Sequence, residues 1–200
     1  MATAIPLAAP RAEAAASDRH RNLRLLSRAL AVVFLLLLGL TILMNVALFT
    51  VGMFFPDHMY FGPKGGEIVL SDADPAIAGM TALSTQPLIT RLAGVVDLVI
   101  ATLPVALILW HLRALFRLYA AGTVFARENA MHLKRIGVWL IAFMPLKYIA
   151  NVIFVSAGGL DKAWFHASEV YALILGFIVL VIAMVMEVGR EIEQERSEFV

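Results

Sequence analysis

Asp97, Lys147 and Glu169, with the amide of Asn151, stand inside or at the edge of long hydrophobic runs that otherwise exclude carboxylates and ammoniums. An aspartate or lysine at the centre of a membrane helix costs about 2.5–3.5 kcal/mol on insertion scales, so such residues need a partner or a task. Asp97 and Lys147 both fall in the outer halves of their runs, and the long stem of Lys147 lets its ammonium reach further outward. Ala93 and Ala101 flank Asp97 at i−4 and i+4, a small-residue face that admits a close neighbour. Asn151 follows Lys147 at i+4 and shares its face, and Glu169 opens the last run at the same outer level. Two chemistries fit this intramembrane polar cluster. One is a structural ion pair between Asp97 and Lys147, satisfied by Asn151 or water. The other is a proton- or solute-coupled site in an outward-facing cavity, which would make the chain a small transporter or channel subunit. Pro104 and Pro145 lie near the cluster, and each removes a backbone hydrogen bond from its helix.

Other reactive side chains form no recognisable constellation. Asp57, His58, Glu67, Asp72 and Asp74 offer oxygen and nitrogen ligands in one outer loop, but their spacing matches no calcium loop and reads as a solvated acidic surface. His111, His132 and His166 are scattered, and HExxH, GxSxG, P-loop and GxGxxG patterns are absent. The chain has no cysteine, hence no thiolate chemistry. No catalytic residue, cofactor or metal is therefore expected, and the chain is not expected to be an enzyme. A net charge of +1 gives no reason to expect direct nucleic-acid binding.

The elements that position the polar cluster follow from hydropathy. The 200 residues are 61% hydrophobic, well above the ~45–50% of soluble domains. The excess is gathered into four runs at about 29–54, 92–112, 136–155 and 168–186. Each is close to the ~20 residues that cross a ~30 Å hydrocarbon core as a helix, the form that satisfies its own backbone in lipid. The expected fold is an all-α integral membrane protein of four transmembrane helices in an antiparallel bundle, in contact with the lipid bilayer and compatible with a homo-oligomer. Residues 1–27 are expected to be a flexible tail and 28–200 a single domain. Its outer loop is 55–91, its central hairpin 113–135 and its helical tail 187–200. Within the outer loop, Asp74 and Pro75 suggest the start of a short helix.

Basic residues set the expected orientation. Arg11, Arg19, Arg21, Arg24 and Arg28 precede the first run, Arg113, Arg117, Arg127, Lys134 and Arg135 fill the central hairpin, and Arg190 and Arg196 follow the last run. The opposite loops hold only Lys64, Arg91 and Lys162. The positive-inside rule then puts both termini and the hairpin in the cytoplasm, with Trp110 and Trp139 at one interface and Trp164 and Tyr171 at the other.

The hairpin carries the most distinctive residues. Leu112, Leu115, Phe116 and Tyr119 keep helical spacing beyond the second run, with Arg113 and Arg117 one turn apart, so that helix continues to about Ala121. Gly122 stands where a left-handed helix terminator belongs, Phe125 folds back between the helices, and a new helix begins near Arg127 with Glu128 in its first turn. Together with Asn129, these residues are a candidate cytoplasmic motif. The stretch LFRLYAAGTVFARENAMHLKRIGVWLI resembles the signature of the bacterial four-helix membrane family known as domain of unknown function (DUF) 2975, at Gly122, Phe125, Asn129, Leu133, Ile136 and Gly137. The resemblance extends from about Arg24 to the acidic tail. It implies an inner-membrane four-helix fold with no established reaction, and a sensory or regulatory role modulating a small helix-turn-helix regulator. One departure is Ala126, where the family usually has a Ser or Thr that can cap the next helix.

Overall fold

The computed structural model describes residues 9–61, 68–70, 81–123, 126–159 and 167–198. Four long helices dominate it: α1 (Ala9–Phe54), α2 (Leu88–Ala120), α3 (Arg127–Ser156) and α4 (Ala167–Glu198). All four are long and apolar enough to cross a membrane. Each packs extensively, antiparallel, on the next in sequence, whereas α1 and α4 are not in extensive contact among the described residues. The arrangement is therefore opened between its first and last helices.

Residues along α1 show how lipid-embedded helices choose their faces. Ser27, Ala31, Leu38 and Gly52 are buried, and Phe34, Thr41, Asn45 and Leu48 are half-buried between them. The steps alternate between four and three residues, the spacing of a single coiled-coil seam. The seam mixes small and polar residues with Phe34, Leu38 and Leu48, while Leu36, Leu43 and Val46 on the other faces are exposed. Only 6% of the most apolar window of α1 is buried within the protein, which leaves most of its surface to lipid. Hydrocarbon gives apolar side chains no reason to leave it, so association rests on close packing and interhelical hydrogen bonds. Along this seam Thr102 of α2 donates to the Asn45 side-chain oxygen at 3.0 Å, and the Phe34 and Phe116 rings lie 5.5 Å apart.

A close backbone approach joins α3 to α4. A Cβ added at Gly137 would fall 2.9 Å from the Gly176 carbonyl oxygen and 2.8 Å from Leu180. Neither glycine can gain a side chain without separating the helices, as expected where small residues set a membrane crossing. The prolines break nothing: Pro104 and Pro145 lie inside continuous helices, Pro104 buried and Pro145 exposed.

Two regions differ from the sequence expectation. Part of the segment expected to be a flexible tail is helical, because α1 begins at Ala9. Its alanines, arginines and glutamate are strong helix formers and run without a break into the span. The outer loop holds a three-stranded antiparallel sheet of β1 (Met59–Phe61), β2 (Ile68–Leu70) and β3 (Thr81–Ala82), in the order β2-β1-β3. Tyr60 pairs with Val69 on one side and Ala82 on the other. Strands of two or three residues are too short to leave a readable alternation. The helix expected after Asp74 lies outside the described residues, as do Glu67 and Asp72. From this loop Met59 and Leu83 pack with Ala93 and Phe154, forming an apolar cluster over the ends of α2 and α3.

Candidate functional site

The antiparallel α2–α3 pair sets the level of each polar residue. Near the outer loop the Thr90 hydroxyl donates to the Ala157 carbonyl, one of the carbonyls left unpaired where α3 ends. At the other end His111 faces His132. This register puts Asp97 of α2 level with the turn of α3 that carries Lys147, Ala150 and Asn151. Asp97 is half-buried, and Asn151 is buried.

The ion pair resolved at Lys147 runs to Glu169, on α4. Glu169 is 1% exposed, while the Lys147 side chain keeps 30% of its surface accessible. Three features hold the carboxylate there. The ammonium meets Oε1, the Ser168 hydroxyl donates to Oε2 at 3.1 Å, and the residue stands in the first turn of α4, where the helix dipole favours negative charge. The ammonium also lies 5.9 Å from the centre of the Phe143 ring, one turn back on α3. From sequence, Asp97 is the expected partner of Lys147, and Glu169 a further member of the cluster beside Asn151. Spacing along one helix says which residues share a face but not which neighbouring helix that face meets.

The apolar cluster of Met59, Leu83, Ala93 and Phe154 lies between these polar groups and the outer-loop end. Phe154, 1% exposed, fills the small-residue face at Ala93 and packs 3.4 Å from the Cβ position of Gly94. The close neighbour admitted by Ala93 is thus an aromatic ring. The arrangement supports a charge-matched tie between α3 and α4 beneath an apolar seal.

The opposite end is built around the hairpin. Gly122 has φ +90°, its N–H donates to Tyr119 at 3.0 Å, and the Thr123 N–H reaches back to Leu118 at 3.1 Å. That pair of bonds, closed by a left-handed residue, is the Schellman termination of a helix. Asn129 is fully buried, and its amide donates to the Thr123 carbonyl at 2.6 Å, tying the first turn of α3 to the loop. Ala126 is the N-cap of α3 and makes no side-chain cap. Asn129 closes the loop through its amide, and Ala126 offers no side chain to cap α3. Phe125 lies outside the described residues. Arg113 is half-buried with its guanidinium 5.7 Å from the Trp110 ring centre, and Arg117 and Glu128 are exposed.

One pairing escaped the sequence reading. His111 and His132 approach at 3.2 Å between their Nδ1 atoms, so one imidazole donates and the other accepts. The signal was present, because the two lie about three helical turns on either side of the Gly122 turn, where an antiparallel hairpin brings positions together. Among the described residues no group of three or more His, Cys, Asp or Glu side chains gathers around a metal position.

No curated protein and no solved structure matches the chain. The model of the family described as protein of unknown function (DUF2975) matches residues 68–200, the greater part of the chain, beginning in the outer loop and leaving α1 outside. The match takes in the Gly122 turn, the buried Asn129, the Gly137–Gly176 crossing and the Lys147–Glu169 pair, and the chain belongs to the DUF2975 family.

Proposed function

We propose that this chain is a non-catalytic regulatory protein of the bacterial inner membrane, with both termini and the α2–α3 hairpin in the cytoplasm. In this reading the hairpin and the extension of α4 hold a small helix-turn-helix transcription regulator. The observation that carries it is mechanical. α3 and α4 are joined twice, by the Lys147–Glu169 pair near one end and by the Gly137–Gly176 crossing nearer the other, and α4 then continues as helix to Glu198. A displacement at the ion pair would be carried along a continuous helix to the hairpin end. The concentration of basic residues at that end supports the orientation, and the family resemblance supplies the class of partner. The lack of any catalytic motif supports a non-catalytic role. A transport role has less support, since Lys147 and Glu169 neutralise each other and an apolar cluster lies beyond them.

The test is co-expression of the tagged chain with the product of a neighbouring helix-turn-helix gene, followed by purification in detergent. The wild type is expected to retain the regulator, and a variant with Arg117→Glu and Glu128→Lys to lose it. Equal retention by the two, or none by the wild type, would overturn the proposal.

A further inference from the structure

We propose that the groove between α1 and α2 at the hairpin end binds the phosphate headgroup of an anionic glycerophospholipid. The groove has a volume of about 560 Å³ and is lined by Arg28 of α1 and by Arg113 and Arg117 of α2. Small-molecule sites commonly occupy ~300–1,000 Å³. Arg113 and Arg117 are one turn apart and share a face. No acidic side chain lines the groove, and among the described residues none of the three arginines forms an ion pair. A fourth guanidinium stands close by: Arg24, one turn before Arg28, lies 3.1 Å from the Cβ position of Gly122. Cations gathered without counter-charge repel one another, and an anion seated among them removes that penalty. All four are arginines, whose planar fork pairs two N–H groups with phosphate oxygens in a way that lysine cannot.

The rest of the groove separates a lipid from a free anion. Val32 and Leu35 continue the α1 wall one and two turns deeper than Arg28, facing the level of Arg113 on α2. With arginines at Arg28 and along α2 and apolar side chains along α1, the groove offers cationic contacts to a phosphate and apolar contacts to the start of an acyl chain. A soluble phosphate would leave the apolar wall uncovered. Trp110 sets the depth. It is 51% exposed, as an interfacial tryptophan is, and the Arg113 guanidinium lies over its ring. The arginines therefore sit at headgroup level. Basic pockets between transmembrane helices are a recognised means of holding anionic lipids.

The experiment uses the full chain in detergent, with bound lipid counted by native mass spectrometry after exposure to equal amounts of phosphatidylglycerol and phosphatidylcholine. The wild type is expected to retain phosphatidylglycerol in preference. At about fivefold per arginine, the variant Arg28→Gln, Arg113→Gln, Arg117→Gln should lose roughly a hundredfold in affinity. A control removing the same charge from the same end, Arg127→Gln, Lys134→Gln, Arg135→Gln, should bind as the wild type does. Equal uptake of both lipids by the wild type overturns the proposal, as does an equal loss in the control. Displacement of the lipid by excess inorganic phosphate overturns it in favour of a soluble anion. Should the groove variant fail to fold, the wild-type preference and the phosphate competition still decide the matter.

Discussion

The two ends of the helix layer treat charge in opposite ways. Toward the outer loop, Lys147 and Glu169 meet each other, the carboxylate is buried, and an apolar cluster lies beyond them. At the hairpin end, Arg28, Arg113 and Arg117 line an open groove without acidic neighbours. The difference follows from enclosure. A carboxylate sealed within the protein is costly enough without a cation that its partner comes from the same chain. In an open groove, solvent or a bound anion can serve, so the chain need not supply the counter-charge. Matched charge is thus evidence for architecture, and unmatched charge points to something outside the chain.

The comparison breaks first at the ion pair. Lys147→Met leaves the Glu169 carboxylate buried without its cation and is expected to cost about 3–5 kcal/mol, while Lys147→Met with Glu169→Leu should recover most of that loss. Unfolding in mixed detergent micelles measures both. A double variant as unstable as the single one would show that the charges do more than neutralise each other. A smaller effect of opposite sign is expected at the hairpin. Ala126→Ser should supply the missing N-cap of α3 and stabilise the protein by about 1 kcal/mol in the same assay. No gain would mean that the first turn of α3 already has its donors satisfied by other means.

How much of this was legible in the sequence depended on the range of the interaction. The four spans and the Gly122 turn rest on local properties, hydropathy over about 20 residues and the left-handed preference of one glycine, and both could be read directly. The absent cap at Ala126 was readable for the same reason. That Asp97 and Lys147 share a level along their helices was readable too, since the register of an antiparallel hairpin follows from position along each run. The identity of the Lys147 partner was not, because it depends on which helix packs against which face. The His111–His132 pair needed the fold of the hairpin before its two halves could be set side by side. The seam of α1 was hidden because hydrophobicity does not mark it: Ser27, Ala31, Thr41, Asn45 and Gly52 share the packed face with Phe34, Leu38 and Leu48, while the lipid-facing sides are apolar too. The sheet of the outer loop left no signal of comparable strength.

The docking role and the side on which lipid is bound both require the hairpin end to face the cytoplasm. The chain contains no cysteine, so single cysteines can report this without background. Asp57 in the outer loop and Glu128 in the hairpin are both exposed. Treating intact cells with a membrane-impermeant maleimide should label Asp57→Cys and leave Glu128→Cys unlabelled until the membrane is opened. Labelling of Glu128→Cys in intact cells would place the hairpin outside and contradict the account.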